Sequence, residues 1–120
     1  MKEAHPYFEA ALAIHREVRN RRFEGMALGN LGKLHLMEDR MEDARDALAR
    51  GEELIREVDD RFGLGKLLCV RAELEHRGGD IAAARATLGE AEALAAQLAA
   101  GPDSEVGHLL VKLRRALGAP

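Results

Sequence analysis

Residues 25–57 read GMALGNLGKLHLMEDRMEDARDALARGEELIRE, and residues 65–97 repeat their outline as GKLLCVRAELEHRGGDIAAARATLGEAEALAAQ. At an offset of 40 residues Gly25 falls on Gly65, Leu28 on Leu68, Leu34 on Leu74 and Ala44 on Ala84. Arg45 then falls on Arg85, Leu48 on Leu88, Glu52 on Glu92 and Leu54 on Leu94. The same step taken backwards places Ala44 on Ala4, Leu48 on Phe8, Leu54 on Ile14 and Val58 on Val18. Chance coincidences are common in a chain where alanine and leucine supply 21 and 18 of 120 residues. One ungapped register over most of the length is not chance. It marks repeated units that bury their apolar faces against neighbours.

Each unit is helical by composition and by punctuation. Valine, isoleucine and threonine together number nine, so the sequence disfavours strands. Asn20 and Asp60 precede helical patterns as N-caps, and Asp39 with Glu42 three residues on forms a capping-box start. Gly78-Gly79-Asp80 reads as a stop followed by a cap. Gly101-Pro102 ends another pattern, and Asp103 or Ser104 caps the next. The spacing predicts an all-α chain of about six helices, near 3–18, 21–37, 40–57, 61–77, 81–99 and 104–117. Their short connections make sequential helices antiparallel neighbours. Leu28, Leu31 and His35 share one helix face beside Gly32; Ala44, Leu48 and Gly51 share another. Gly32 and Gly51 each cost about 1 kcal/mol of helix propensity relative to alanine, and their use is the close approach of two helix axes.

These residues closely resemble the tetratricopeptide repeat (TPR) family, in its bacterial variant of about 40 residues. The signature is carried by Leu31-Gly32, Ala44, Leu48 and Gly51, and again by Ala72, Ala84, Leu88 and Ala91, with Arg71 where leucine is usual. Ala4, Phe8, Ala11 and Leu12 supply a preceding half-unit, so the resemblance runs from residue 3 to about residue 100. It implies an α-solenoid of antiparallel helical hairpins wound as a right-handed superhelix. Within a single domain, 1–120, it places the second helix of a truncated repeat at 1–19, repeats at 20–58 and 60–99, and a capping helix at 103–118. Such arrays bind peptides or partner proteins, and no catalytic residues carry over. We therefore expect a protein-interaction module, a piece of a larger bacterial signalling or regulatory protein. Arg71 and Glu75 stand where Leu31 and His35 stand in the first unit, which predicts partial exposure of that face.

The resemblance also assigns a binding face, the concave groove lined by the first helix of each hairpin. Beside Leu28, Leu31 and His35 this stripe holds Met26, Asn30, Lys33 and Met37; in the second unit it holds Lys66, Val70, Glu73 and Arg77. In the last helix, taken with a 38-residue step, it holds Ser104, His108, Val111 and Arg115. The Asn30 carboxamide can donate to a peptide carbonyl and accept from its N–H, holding an extended ligand without reading its side chains. Asn30 and Lys66 match in kind the carboxylate clamp of some members, whereas Met26 and Val70 do not, so chaperone-tail binding is not expected. Ala4, Phe8 and Ala11 lack the helix they would pack against, which offers a second class of function: self-association, as a homodimer or spacer. Val106, Leu109, Leu110, Leu113 and Leu117 form the apolar stripe of the last helix.

Other chemistry is absent from the pattern. Eighteen basic against 21 acidic side chains leave a net charge of −3, without the cationic surplus that nucleic-acid binding requires. Three phenylalanines and one tyrosine are too few for a base-stacking platform. None of His5, His15, His35, His76 and His108 pairs at i, i+4 with another histidine or with Cys69, and neither HExxH nor CxxC occurs, so no metal and no cofactor is expected. Gly63-Leu64-Gly65-Lys66 shares a fragment with phosphate loops, but Leu67 stands where Ser or Thr is needed. Thr87, Ser104 and Tyr7 are the only hydroxyls, in no nucleophile motif, so no enzyme is expected. Cys69 sits in an apolar run as a buried thiol. No apolar run is long enough to span a membrane, and the expected location is cytoplasmic.

Overall fold

The computed structural model describes residues 4–17, 21–98 and 104–118. Those residues form six helices and no strand: α1 (Ala4–Glu17), α2 (Arg21–Met37), α3 (Met41–Glu57), α4 (Arg61–Arg77), α5 (Ile81–Gln97) and α6 (Glu105–Ala116). The expected boundaries hold to within two residues at every end. No helix among the described residues is long and apolar enough to cross a membrane. The chain divides into two compact units, residues 1–60 and 61–120.

The helix ends explain the periodicity. Asp39, Asp59 and Gly79 all have positive φ, at 60°, 54° and 86°. At each, two backbone N–H groups turn back onto orphan carbonyls of the preceding helix. Arg40 N donates to His35 O at 2.8 Å and Asp39 N to Leu36 O at 3.1 Å. Asp60 N bonds Ile55 O (3.2 Å) with Asp59 N on Arg56 O (3.2 Å), and Asp80 N bonds Glu75 O (2.9 Å) with Gly79 N on His76 O (3.1 Å). This is the Schellman closure, made three times at equal spacing. It corrects the expected capping box: Asp39 is the left-handed end of α2, and the N-cap of α3 is Arg40, without a side-chain cap bond. Two of the expected caps are formed. Asp80 Oδ1 accepts from Ala83 N at 3.1 Å, and Ser104 Oγ accepts from Gly107 N at 2.9 Å. Asn20 and Asp103 lie outside the described residues.

A left-handed aspartate carries strain that glycine does not. Asp39→Gly and Asp59→Gly should each raise stability by up to about 1 kcal/mol, and Gly79→Ala should lower it by a similar amount. Urea unfolding of the three variants measures both signs.

In the first unit α2 is packed by α1 and by α3. Leu12 of α1 joins Ala27, Leu28, Ala47 and Leu54 in one buried cluster. The α2–α3 contact is set by two glycines. A Cβ on Gly32 would lie 2.7 Å from Leu48 Cγ, and one on Gly25 2.7 Å from Ile55 Cγ1 and 3.2 Å from the Gly51 carbonyl oxygen. Those separations exist because no side chain is there.

In the second unit α4 packs on α5, and α6 lies against both. Leu68, Cys69, Ala72, Ala84, Leu88 and Ala91 are buried together with Leu113 of α6 and Leu117, its C-cap. Val106 is buried as well, and Leu109 and Leu110 pack half-buried on the same cluster. The apolar stripe of the last helix therefore faces inward, as its spacing predicts.

Candidate functional site

Because α1 and α3 occupy two sides of α2, its remaining side is the stripe read from the sequence. Asn30, Lys33 and Met37 are exposed and Met26 is half-buried, while Leu28, Leu31 and His35 beside them are buried. Asn30 and Lys33 make no hydrogen bond or ion pair among the described residues. Met37 leaves 53% of its surface exposed. Nearer the start of α2 the charges are engaged: Arg21 Nη1 lies 2.7 Å from Glu57 Oε1, and Arg22 Nε 3.2 Å from Asp60 Oδ2.

The corresponding stripe of α4 is more fully paired. Lys66 Nζ lies 3.0 Å from Glu105 Oε1 of α6, and Arg77 Nη2 3.4 Å from Glu73 Oε1. Val70 is half-buried between them in sequence. On α6, His108, Val111, Lys112 and Arg115 are exposed. Ser104 is engaged as the N-cap, and Arg114 bonds Glu92 of α5.

Partial exposure of Arg71 and Glu75 is only part of what the structure shows, because they meet in a network that sequence reading missed. The Thr87 hydroxyl, buried on α5, donates to Glu75 Oε1 at 2.5 Å and accepts from Arg71 Nη2 at 3.0 Å and Nε at 3.3 Å. Arg71 Nη2 also reaches Glu90 Oε1 at 3.4 Å. The signal was in the sequence: the chain's one threonine falls where the first unit has Ala47, in the same unit that places Arg71 and Glu75 on the packing face. Such a network satisfies the charges that the apolar pattern would otherwise strand.

On α1, Phe8 and Ala11 are half-buried, and the Ala4 side chain lies outside the described residues. Tyr7 is 71% exposed and meets Phe8 edge-on, ring centroids 5.5 Å apart at 72°.

Gly63, Leu64, Gly65 and Lys66 lie inside α4, with both glycines buried, so these backbone N–H groups belong to a helix and form no phosphate-cradling loop. Among the described residues no group of three or more His, Cys, Asp or Glu is placed to hold a metal ion. Cys69 is buried, and burial pushes its thiol up from 9.0 to about 11. The neutral thiol is favoured in the fold, so this contribution to stability is fully present below pH 9.0 and is lost as pH rises towards 11. Between those values the stability of Cys69→Ala should fall less steeply with pH than that of the parent chain. At neutral pH Cys69 should react with a thiol reagent at least about tenfold more slowly in the folded chain than in denaturant.

No family model, no curated protein and no solved structure matches this chain.

Proposed function

We propose that the chain is a protein-interaction module of the TPR kind, without catalytic chemistry, whose partner is a peptide or protein segment held along the outward stripe of α2, the first helix of its hairpin. The observation that carries this reading is the α2 stripe: helices on two sides, and Met26, Asn30, Lys33 and Met37 on the remaining one, with the polar groups of Asn30 and Lys33 unengaged among the described residues. A carboxamide and an ammonium between two thioether side chains can bond a peptide backbone and shield it from water at once. The 40-residue register and the paired helices support the family resemblance behind this proposal.

The test is to pan a random dodecapeptide library displayed on phage against the full chain and to measure the selected peptides by calorimetry. Asn30→Ala/Lys33→Ala, both on the surface, should weaken binding about tenfold while leaving the circular dichroism unchanged. Equal affinity for parent and variant would remove α2 from the interface.

A second reading has its own observation, the exposed Tyr7 ring set against Phe8 on α1, with Ala10 and Ala13 also exposed. These residues suit a self-association surface. Sedimentation of the parent chain and of Tyr7→Glu decides it: a dimer lost in the variant supports the reading, and a concentration-independent monomer excludes it.

A further inference from the structure

The charges on the outward stripes are sorted by sign. On α2 the stripe from Met26 to Met37 carries Lys33 and no carboxylate. On α4, Lys66 is taken by Glu105 and Arg77 pairs with Glu73, so that stripe is neutralised. On α6, Glu105 is spent on Lys66 and Arg114 on Glu92, leaving Lys112 and Arg115. Neither makes an ion pair among the described residues, and they adjoin His108 and the half-exposed Val111. Every uncompensated charge on these stripes is positive, in a chain whose net charge is −3.

The helix macrodipole accounts for cations in a last turn, and Arg114 and Arg115 stand there. It does not call for Lys112, which precedes the last turn of α6, or for Lys33, which precedes that of α2. The two cations at 112 and 115 beside an exposed valine are complementary to a segment that presents carboxylates next to an aliphatic side chain. Two free cations release too few counterions to hold a nucleic acid on an acidic protein.

We infer that the α6 face of the second unit docks an acidic peptide segment of a partner protein, its carboxylates on Lys112 and Arg115 and an aliphatic side chain on Val111. This rests on the interaction-module reading and gives its partner a charge. The same panned library provides the probe. Selected peptides should be enriched in Asp and Glu beside Leu, Ile or Val, and should bind more weakly as salt rises. Lys112→Glu/Arg115→Glu should lower their affinity at least about tenfold, and Lys112→Gln/Arg115→Gln by a smaller factor, with unchanged circular dichroism in both. Peptides of no acidic bias, or acidic peptides indifferent to the reversal, would overturn the inference. If those peptides still lose affinity to Asn30→Ala/Lys33→Ala, the interaction-module reading stands without it. A library that yields no binder removes both. Tighter binding of a single-stranded oligonucleotide than of any selected peptide would overturn the inference in favour of a nucleic-acid partner.

Discussion

Replacing Gly32 by leucine is expected to cost about 3–5 kcal/mol and to unfold the first unit, seen as loss of helical signal at a lower urea concentration. The first added carbon alone would stand 2.7 Å from Leu48 Cγ, 2.8 Å from Leu48 Cδ2 and 3.4 Å from the Ala44 carbonyl oxygen. Leu48 is 2% exposed in a close-packed interior, so room for a leucine at position 32 comes from moving α2 away from α3. Gly89 supplies the control. It lies within α5 with nothing inside 4 Å of its would-be Cβ, and Gly89→Ala should stabilise by about 0.5–1 kcal/mol through helix propensity alone. Two helical glycines with opposite responses separate packing from propensity. Parent-like melting of Gly32→Leu would refute the close approach of α2 and α3.

Leu48→Ala and Leu88→Ala should each remove about 2–5 kcal/mol, the range for a buried leucine whose site cannot collapse around the loss. The two occupy matching positions, one in the core beside Gly32 and one in the cluster of Leu68, Ala84 and Leu113. A unit of about sixty residues has few kilocalories to spare, so either change can unfold its own half. Amide hydrogen exchange locates the damage. Leu48→Ala should speed exchange more than about tenfold in α2 and α3, and Leu88→Ala in α4, α5 and α6. Equal acceleration along the whole chain from either substitution would show that the units do not respond to their own cores.

What was legible follows from what each signal depends on. Helix positions were readable because the apolar period and the stop-and-cap punctuation are local, and α6 was readable despite its broken register because Val106, Leu113 and Leu117 keep a helical spacing. The turn at Asp39 was misread because aspartate suits two neighbouring jobs. Its short side chain can cap a helix start, and its backbone tolerates the left-handed conformation that ends one; only the φ of 60° decides. The Lys66–Glu105 pair was not readable, since it joins helices whose facing residues are distant in sequence, and of the Arg71–Thr87–Glu75 network the sequence carried the unusual residue types but not the contacts between them.

The equal joints constrain how such a gene can change length. Helices α2 to α5 are each 17 residues long and are separated by three-residue connections, so duplicating or excising one forty-residue block returns the reading to the same phase. A single-codon insertion within a helix instead rotates everything downstream on that rod by about 100°, carrying leucines outward and arginines inward. Length variation should therefore be tolerated in whole blocks and resisted one codon at a time.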